Sequence, residues 1–101
     1  MANRFVLSPL AAQDLDDILY YVLEQSGPVR AQHVAARFYD TFQQLADTPG
    51  LGHRREDLTE APVLFRAVWS YLVIYRPDRK PLEVVRVLHG ARDLPPLLAD
   101  R

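Results

Sequence analysis

His89 and three arginines, Arg66, Arg76 and Arg86, are the residues of this chain best suited to chemistry. A free imidazole titrates near pH ~6.5, so His89 can give or take a proton at neutral pH. A guanidinium stays charged and forks onto carboxylate or phosphate oxygens. Together these four could move a proton beside a phosphate whose charge the arginines stabilise. The same residues also have plainer roles. Gly90 follows His89, so the imidazole can bond locally and order a turn. The arginines interrupt apolar stretches, so they either line an exposed sheet face or meet nearby carboxylates. Lys80, in a predicted loop, is the only lysine.

Other reactive groups are scarce. The chain has no cysteine, and His33, His53 and His89 do not recur at a metal-ligand spacing, so neither a disulfide framework, a metal nor another cofactor is expected. Its 101 residues allow one domain over 1–101 with one core. A composition 49% hydrophobic and 25% charged is that of a folded globular protein. No apolar run approaches the roughly 20 residues needed to span a bilayer, and Met1–Leu10 lacks the core of a secretory signal, which makes the cytoplasm the expected location. Charge is uneven. Residues 1–50 carry 3 Arg against 6 acidic groups, whereas residues 51–101 carry 8 Arg and 1 Lys against 7, giving −3 and +2 for the stated net of −1. A chain that grips nucleic acid through its backbone is usually clearly basic, so direct DNA binding by this chain alone is not expected.

The elements that must position these groups can be read from apolar spacing. Arg4–Leu7 alternates as a short strand. Ser8-Pro9 then supplies an N-cap and a first helical residue. Ala11, Leu15, Ile18, Leu19 and Val22 form one helical stripe, with Asp14, Asp16, Asp17 and Glu24 largely outside it. Ser26-Gly27-Pro28 stops that helix and starts another, whose stripe is Ala31, Val34, Ala35, Phe38, Phe42 and Leu45, broken after Thr48 by Pro49-Gly50. So short a link implies an antiparallel helical hairpin. Residues 51–62 read as an exposed connection in which Arg54, Arg55, Glu56 and Asp57 form a solvated mixed-charge loop. Val63–Trp69, Tyr71–Arg76 and Leu82–Leu88 are rich in β-branched and aromatic residues and are joined by short turns, which predicts three antiparallel strands. The fold class is therefore α+β, ordered β-α-α-β-β-β, with the hairpin on one sheet face. The last residues, Pro95–Arg101, begin Pro-Pro, end in charge and are expected to be a loosely held tail.

Four phrases in this order carry a resemblance: L-S-P-L-A-A-Q-D-L at Leu7–Leu15, P-G-L-G-H-R-R-E-D-L at Pro49–Leu58, Y-L-V-I-Y-R at Tyr71–Arg76, and R-V-L-H-G-A-R-D-L at Arg86–Leu94. The chain resembles the ParE branch of the RelE/ParE toxins, the toxin partners of bacterial type II toxin-antitoxin pairs, along nearly its whole length. The resemblance implies the RelE/ParE toxin fold and one of two activities. ParE-like members are associated with inhibition of DNA gyrase, whereas RelE-like members cleave messenger RNA on the ribosome. The lysine-poor composition and the lack of a C-terminal Tyr or His pair favour an inhibitor that acts by binding, with no catalytic residues. The alternative nuclease would use His89, Arg66, Arg76 and Arg86. A third possibility is an inactive homologue that serves as corepressor of its antitoxin.

The resemblance also implies a cognate antitoxin in a toxin-antitoxin hetero-oligomer, with a flexible antitoxin segment that buries apolar surface on binding. The expected receiving surface is the outside of the hairpin and the sheet edge, with Leu19, Tyr20, Leu23, Phe42 and Leu45 as the anchors. His89, Arg92 and Asp93, with Arg54 and Arg55, are the expected contacts to the target. Arg92 and Asp93 read equally well as a surface ion pair or a helix cap.

Overall fold

The computed structural model describes residues 3–91 and 94–99. Strand β1 is Phe5–Leu7, and Ser8 caps the helix that follows, its hydroxyl accepting the Ala11 N–H at 3.0 Å and donating to the Val85 carbonyl at 2.7 Å. One serine thus ends a strand, opens a helix and ties both to the sheet. Helical structure runs over Pro9–Asp47 but is broken at Gly27, where φ is 86° and ψ is 175°. Only glycine enters that region at little cost, and Pro28 restarts the helix. We call the two arms α1 (residues 9–26) and α2 (residues 28–47). An unbroken helix over the same span would be about 58 Å long at ~1.5 Å per residue, yet the longest extent of the molecule is 38 Å. The arms fold back as a hairpin, as Ser26-Gly27-Pro28 predicts.

A single 3₁₀ turn, Pro49–Leu51, leads to β2 (Leu64–Val68), β3 (Tyr71–Arg76) and β4 (Leu82–His89). The sheet order is β1-β4-β3-β2, with β1 parallel to β4 and the other pairs antiparallel. The hairpin therefore carries the chain from β1 at one edge of the sheet to β2 at the other, and β4 returns beside β1 only after β2 and β3, a parallel pairing that a tight turn could not make. A register shift between Ile74 and Tyr75 bulges β4 at Val85–Arg86.

The sheet is buried on both faces. On one, Val68, Val73, Tyr75, Val84 and Val87 pack against Ala11, Leu15, Ile18, Phe38, Phe42 and Leu45 of the hairpin. On the other, Phe65, Ile74, Val85 and Leu88 meet Val63, Leu94 and Leu98. Two-sided burial explains why β3 and β4 read as nearly continuous apolar runs instead of alternating. The second layer corrects one expectation. Leu94–Ala99 is a helix, α3, with Leu94 and Leu98 only 3% and 4% exposed, so 95–99 is not a loose tail. The Pro-Pro pair, read as a sign of loose chain, falls in the first turn of α3, where missing N–H groups cost nothing. Asp100 and Arg101 lie outside the described residues.

Candidate functional site

The arginine on the signature strand is held by α1. Asp14 receives Arg86 in a bidentate pair, Nε to Oδ2 at 2.8 Å and Nη2 to Oδ1 at 2.9 Å, with both side chains 12% exposed. Its Oδ2 also accepts the Val87 N–H at 2.9 Å. Because β1 ends at Leu7, the later part of β4 has no strand on that side, and the carboxylate replaces the missing partner. The hydrogen bond to Asp14 pushes the Arg86 pKa further up despite partial burial, so the guanidinium stays charged throughout the usable pH range. Arg86 thus stiffens the start of R-V-L-H-G-A-R-D-L. A signal for this was present in the sequence: Asp14 lies three residues after Ala11 and four before Ile18, on the stripe that faces the sheet.

The remaining members of the phosphate-chemistry set do not converge. Leu64 and Val68 face the hairpin, so by strand alternation Arg66 shares their face, and its Nη1 reaches the Leu51 carbonyl at 3.4 Å. Ile74 belongs to the opposite layer, and Arg76, two residues on, shares that face and pairs with Asp78 at 3.4 Å. The two arginines therefore occupy opposite faces of the sheet. His89 stands edge-on to Tyr71, with ring centroids 5.1 Å apart, and its Nδ1 accepts the Ala91 N–H at 3.1 Å. This is the local, turn-ordering role.

The charged loop is solvated and self-paired: Arg54 meets Glu56 at 3.5 Å and Arg55 meets Asp57 at 2.9 Å. The bidentate bonds from Arg55 hold the Asp57 carboxyl below its usual range. What positions this loop is Tyr75, whose hydroxyl donates to the Pro49 carbonyl at 2.6 Å and accepts the Gly52 N–H at 2.8 Å. A Cβ on Gly52 would stand 2.6 Å from that hydroxyl and 2.9 Å from the Phe65 carbonyl oxygen, so this close approach requires glycine. His53 then forms a two-bond bridge to Phe65. Arg92 and Asp93, expected beside His89 as target contacts, lie outside the described residues.

On the outside of the hairpin, Leu19, Tyr20, Leu23, Ala31 and Ala35 line an open groove of 580 Å³ between the arms, edged by Asp16, Asp17 and Gln32. Tyr20 and Leu23 are 62% and 43% exposed. Phe42 and Leu45, expected beside them, are both 0% exposed and belong to the core. They sit on the inner stripe of α2 with Phe38, in the same core cluster as Val73, Tyr75, Val84 and Val87 of the sheet, so neither can anchor a partner without the hairpin opening.

These features together are a β4 end buttressed by a helix carboxylate, a loop pinned by one tyrosine, and an apolar groove between two helices. Residues 5–94 match the family described as ParE toxin of type II toxin-antitoxin system, parDE. The chain belongs to the ParE toxin family. Toxin ParE1 of Caulobacter vibrioides is 36% identical over 83 residues, which cover 82% of this chain and 84% of that protein. A solved chain described as the chromosomal ParDE TA system from P. aeruginosa superposes with a TM-score of 0.70 at 21% identity, covering 87% of this chain and 96% of that one. The protein is a ParE-type toxin of a type II toxin-antitoxin system with the expected α+β toxin fold. Among the described residues no group of three or more His, Cys, Asp and Glu could hold a metal, and no helix is long and apolar enough to cross a membrane.

Proposed function

We propose that this ParE-type toxin inhibits DNA gyrase in the cytoplasm by binding it, without chemistry of its own. The observation carrying this reading is the dispersal of the basic groups: Arg86 is locked to Asp14, Arg66 and Arg76 lie on opposite faces, and His89 bonds within its own turn. Cleavage of a ribose-phosphate link needs an acid, a base and cations around one phosphate. Nothing in this arrangement supplies that common point. Binding needs only an accessible surface, and His89 at the end of β4 with Arg54 and Arg55 in the pinned 53–57 loop are the contacts we assign to it.

A cognate antitoxin neutralises the toxin by laying an amphipathic helix into the groove between α1 and α2. Leu19, Tyr20 and Leu23 supply the anchors; they are spaced for a helix-in-groove contact, and their burial would drive association. Purified toxin tested against gyrase supercoiling and against translated messenger RNA separates the alternatives. Loss of supercoiling with intact transcripts is expected. Transcripts cut by the wild type and spared by His89→Ala, with supercoiling untouched, would overturn the proposal. Inactivity in both assays with harmless expression would instead identify a corepressor.

A further inference from the structure

The outer edge of β2 carries groups that the fold itself leaves unused. Phe65 turns its N–H and carbonyl away from β3, and His53 takes both. Ala67, two residues on, presents its main chain the same way; it is exposed, and among the described residues nothing outside the sheet bonds to it. At the end of this edge Trp69 is 55% exposed at a φ of 54°, in a two-residue turn that contains no glycine. The indole meets the Phe38 edge at 6.2 Å, and the Arg37 guanidinium lies over it at 5.6 Å. Arg37 and Arg66 border this edge, and Arg30 lies two helical turns before Arg37 on the same flank of α2. Among the described residues none of the three has a carboxylate partner, unlike Arg54, Arg55, Arg76, Arg79 and Arg86.

We infer that the β2 edge from Ala67 to Trp69 docks an extended acidic segment of the protein this toxin inhibits. The segment continues the line begun by His53, pairing its main chain with Ala67, packing on Trp69 and setting carboxylates against Arg37 and Arg66. A polypeptide fits better than a nucleic acid, because the unused groups are backbone donors and acceptors at strand spacing and the chain as a whole is slightly acidic. The edge lies between the 53–57 loop and the His89 turn, where Gly90 N–H bonds the Ser70 carbonyl. It is separate from the groove on the outside of the hairpin. The inference rests on the toxin acting by binding, not on which protein it binds.

The probe is a decapeptide of alternating Glu and Val, titrated into isotopically labelled toxin and followed by NMR. Saturable shifts at the Ala67 amide and the Trp69 indole are expected, with affinity at least fivefold weaker in Arg37→Gln and Ala67→Pro, the latter closing the edge. A Lys-Val decapeptide and a ten-nucleotide oligo-dT should leave these signals unmoved. Trp69→Gly, which suits the positive φ, should melt within a few degrees of wild type and lose growth inhibition. No saturable shift, equal binding of the Lys-Val peptide, or preference for oligo-dT overturns the inference, as does wild-type affinity in Arg37→Gln. Failure to inhibit gyrase would sink the proposed target while leaving this titration to judge the edge.

Discussion

The helical hairpin carries two apolar stripes that differ little in composition and greatly in fate. The inner stripe, Ala11, Leu15, Ile18, Phe38, Phe42 and Leu45, is sealed against the sheet, whereas Leu19, Tyr20 and Leu23 line a groove open to solvent. Spacing alone cannot assign them, because a helix with apolar residues over more than half its circumference has two possible inward directions. The sheet decides. Asp14 fixes the rotation of α1 by reaching Arg86 and the Val87 N–H, which turns Leu15 and Ile18 inward and leaves Tyr20 and Leu23 outside.

The largest effect expected from breaking this comparison is on the inner stripe. Phe42→Ala should cost about 4 kcal/mol, the range for deleting a fully buried aromatic ring, and chemical denaturation should show it as a lowered midpoint. A loss of antitoxin affinity in that variant would then report unfolding, not a lost contact. Stability within about 0.5 kcal/mol of wild type would mean that Phe42 is not the core residue described.

The orienting contact comes next. Asp14→Asn removes the charge while keeping the shape, leaving Arg86 nearly buried without its counterion and weakening the cap on Val87. A loss of about 3 kcal/mol is expected, with faster amide exchange at Val87 than elsewhere in β4. Because the Arg86 pKa is raised in the folded state, its contribution is fully present at all pH values below its ordinary pKa and is lost only at extreme alkalinity. Raising the pH from 6 to 9 should therefore leave the wild-type advantage over Asp14→Asn unchanged, as paired denaturation curves would show.

The outer stripe should respond in the opposite way. Tyr20→Ala with Leu23→Ala removes side chains that lie outside the core, so the fold should stay within about 1 kcal/mol of wild type, while antitoxin affinity falls by about a hundredfold, as for a pair of interface anchors. Calorimetric titration against the antitoxin checks this. Unchanged affinity in a folded double variant would move the antitoxin off the groove.

How legible the fold was in the sequence follows from the same physics. Ser8-Pro9, the Gly27-Pro28 break and the turns between strands are local signals, and the structure carries each of them. The placement of β1 beside β4 and the burial of Leu94 and Leu98 depend on contacts between distant segments, which no local spacing encodes. Spacing places Phe42 and Leu45 on one stripe of α2 but does not give the direction that stripe faces, which is why an outward expectation meets two fully buried side chains. Arg86 could be recognised as special, yet its partner lies 72 residues away. Trp69 left one trace: a two-residue turn, Trp69-Ser70, without the glycine or asparagine such turns favour.

The smallest effect tests the two kinds of arginine. Arg55 pairs with Asp57 in the same bidentate geometry as Arg86 with Asp14, but Arg55 and Asp57 are 42% and 64% exposed. Water competes for every atom of that pair, so geometry alone confers little. Arg55→Ala should leave the melting temperature within about 2 °C of wild type, consistent with a surface change below ~0.5 kcal/mol. If it also weakens inhibition of the target several-fold, the pinned loop is a contact surface whose order comes from Tyr75 and Gly52, not from its own charges. If it destabilises the fold as Asp14→Asn does, burial is not what separates the two pairs, and the account of Arg86 as a structural cation loses its basis.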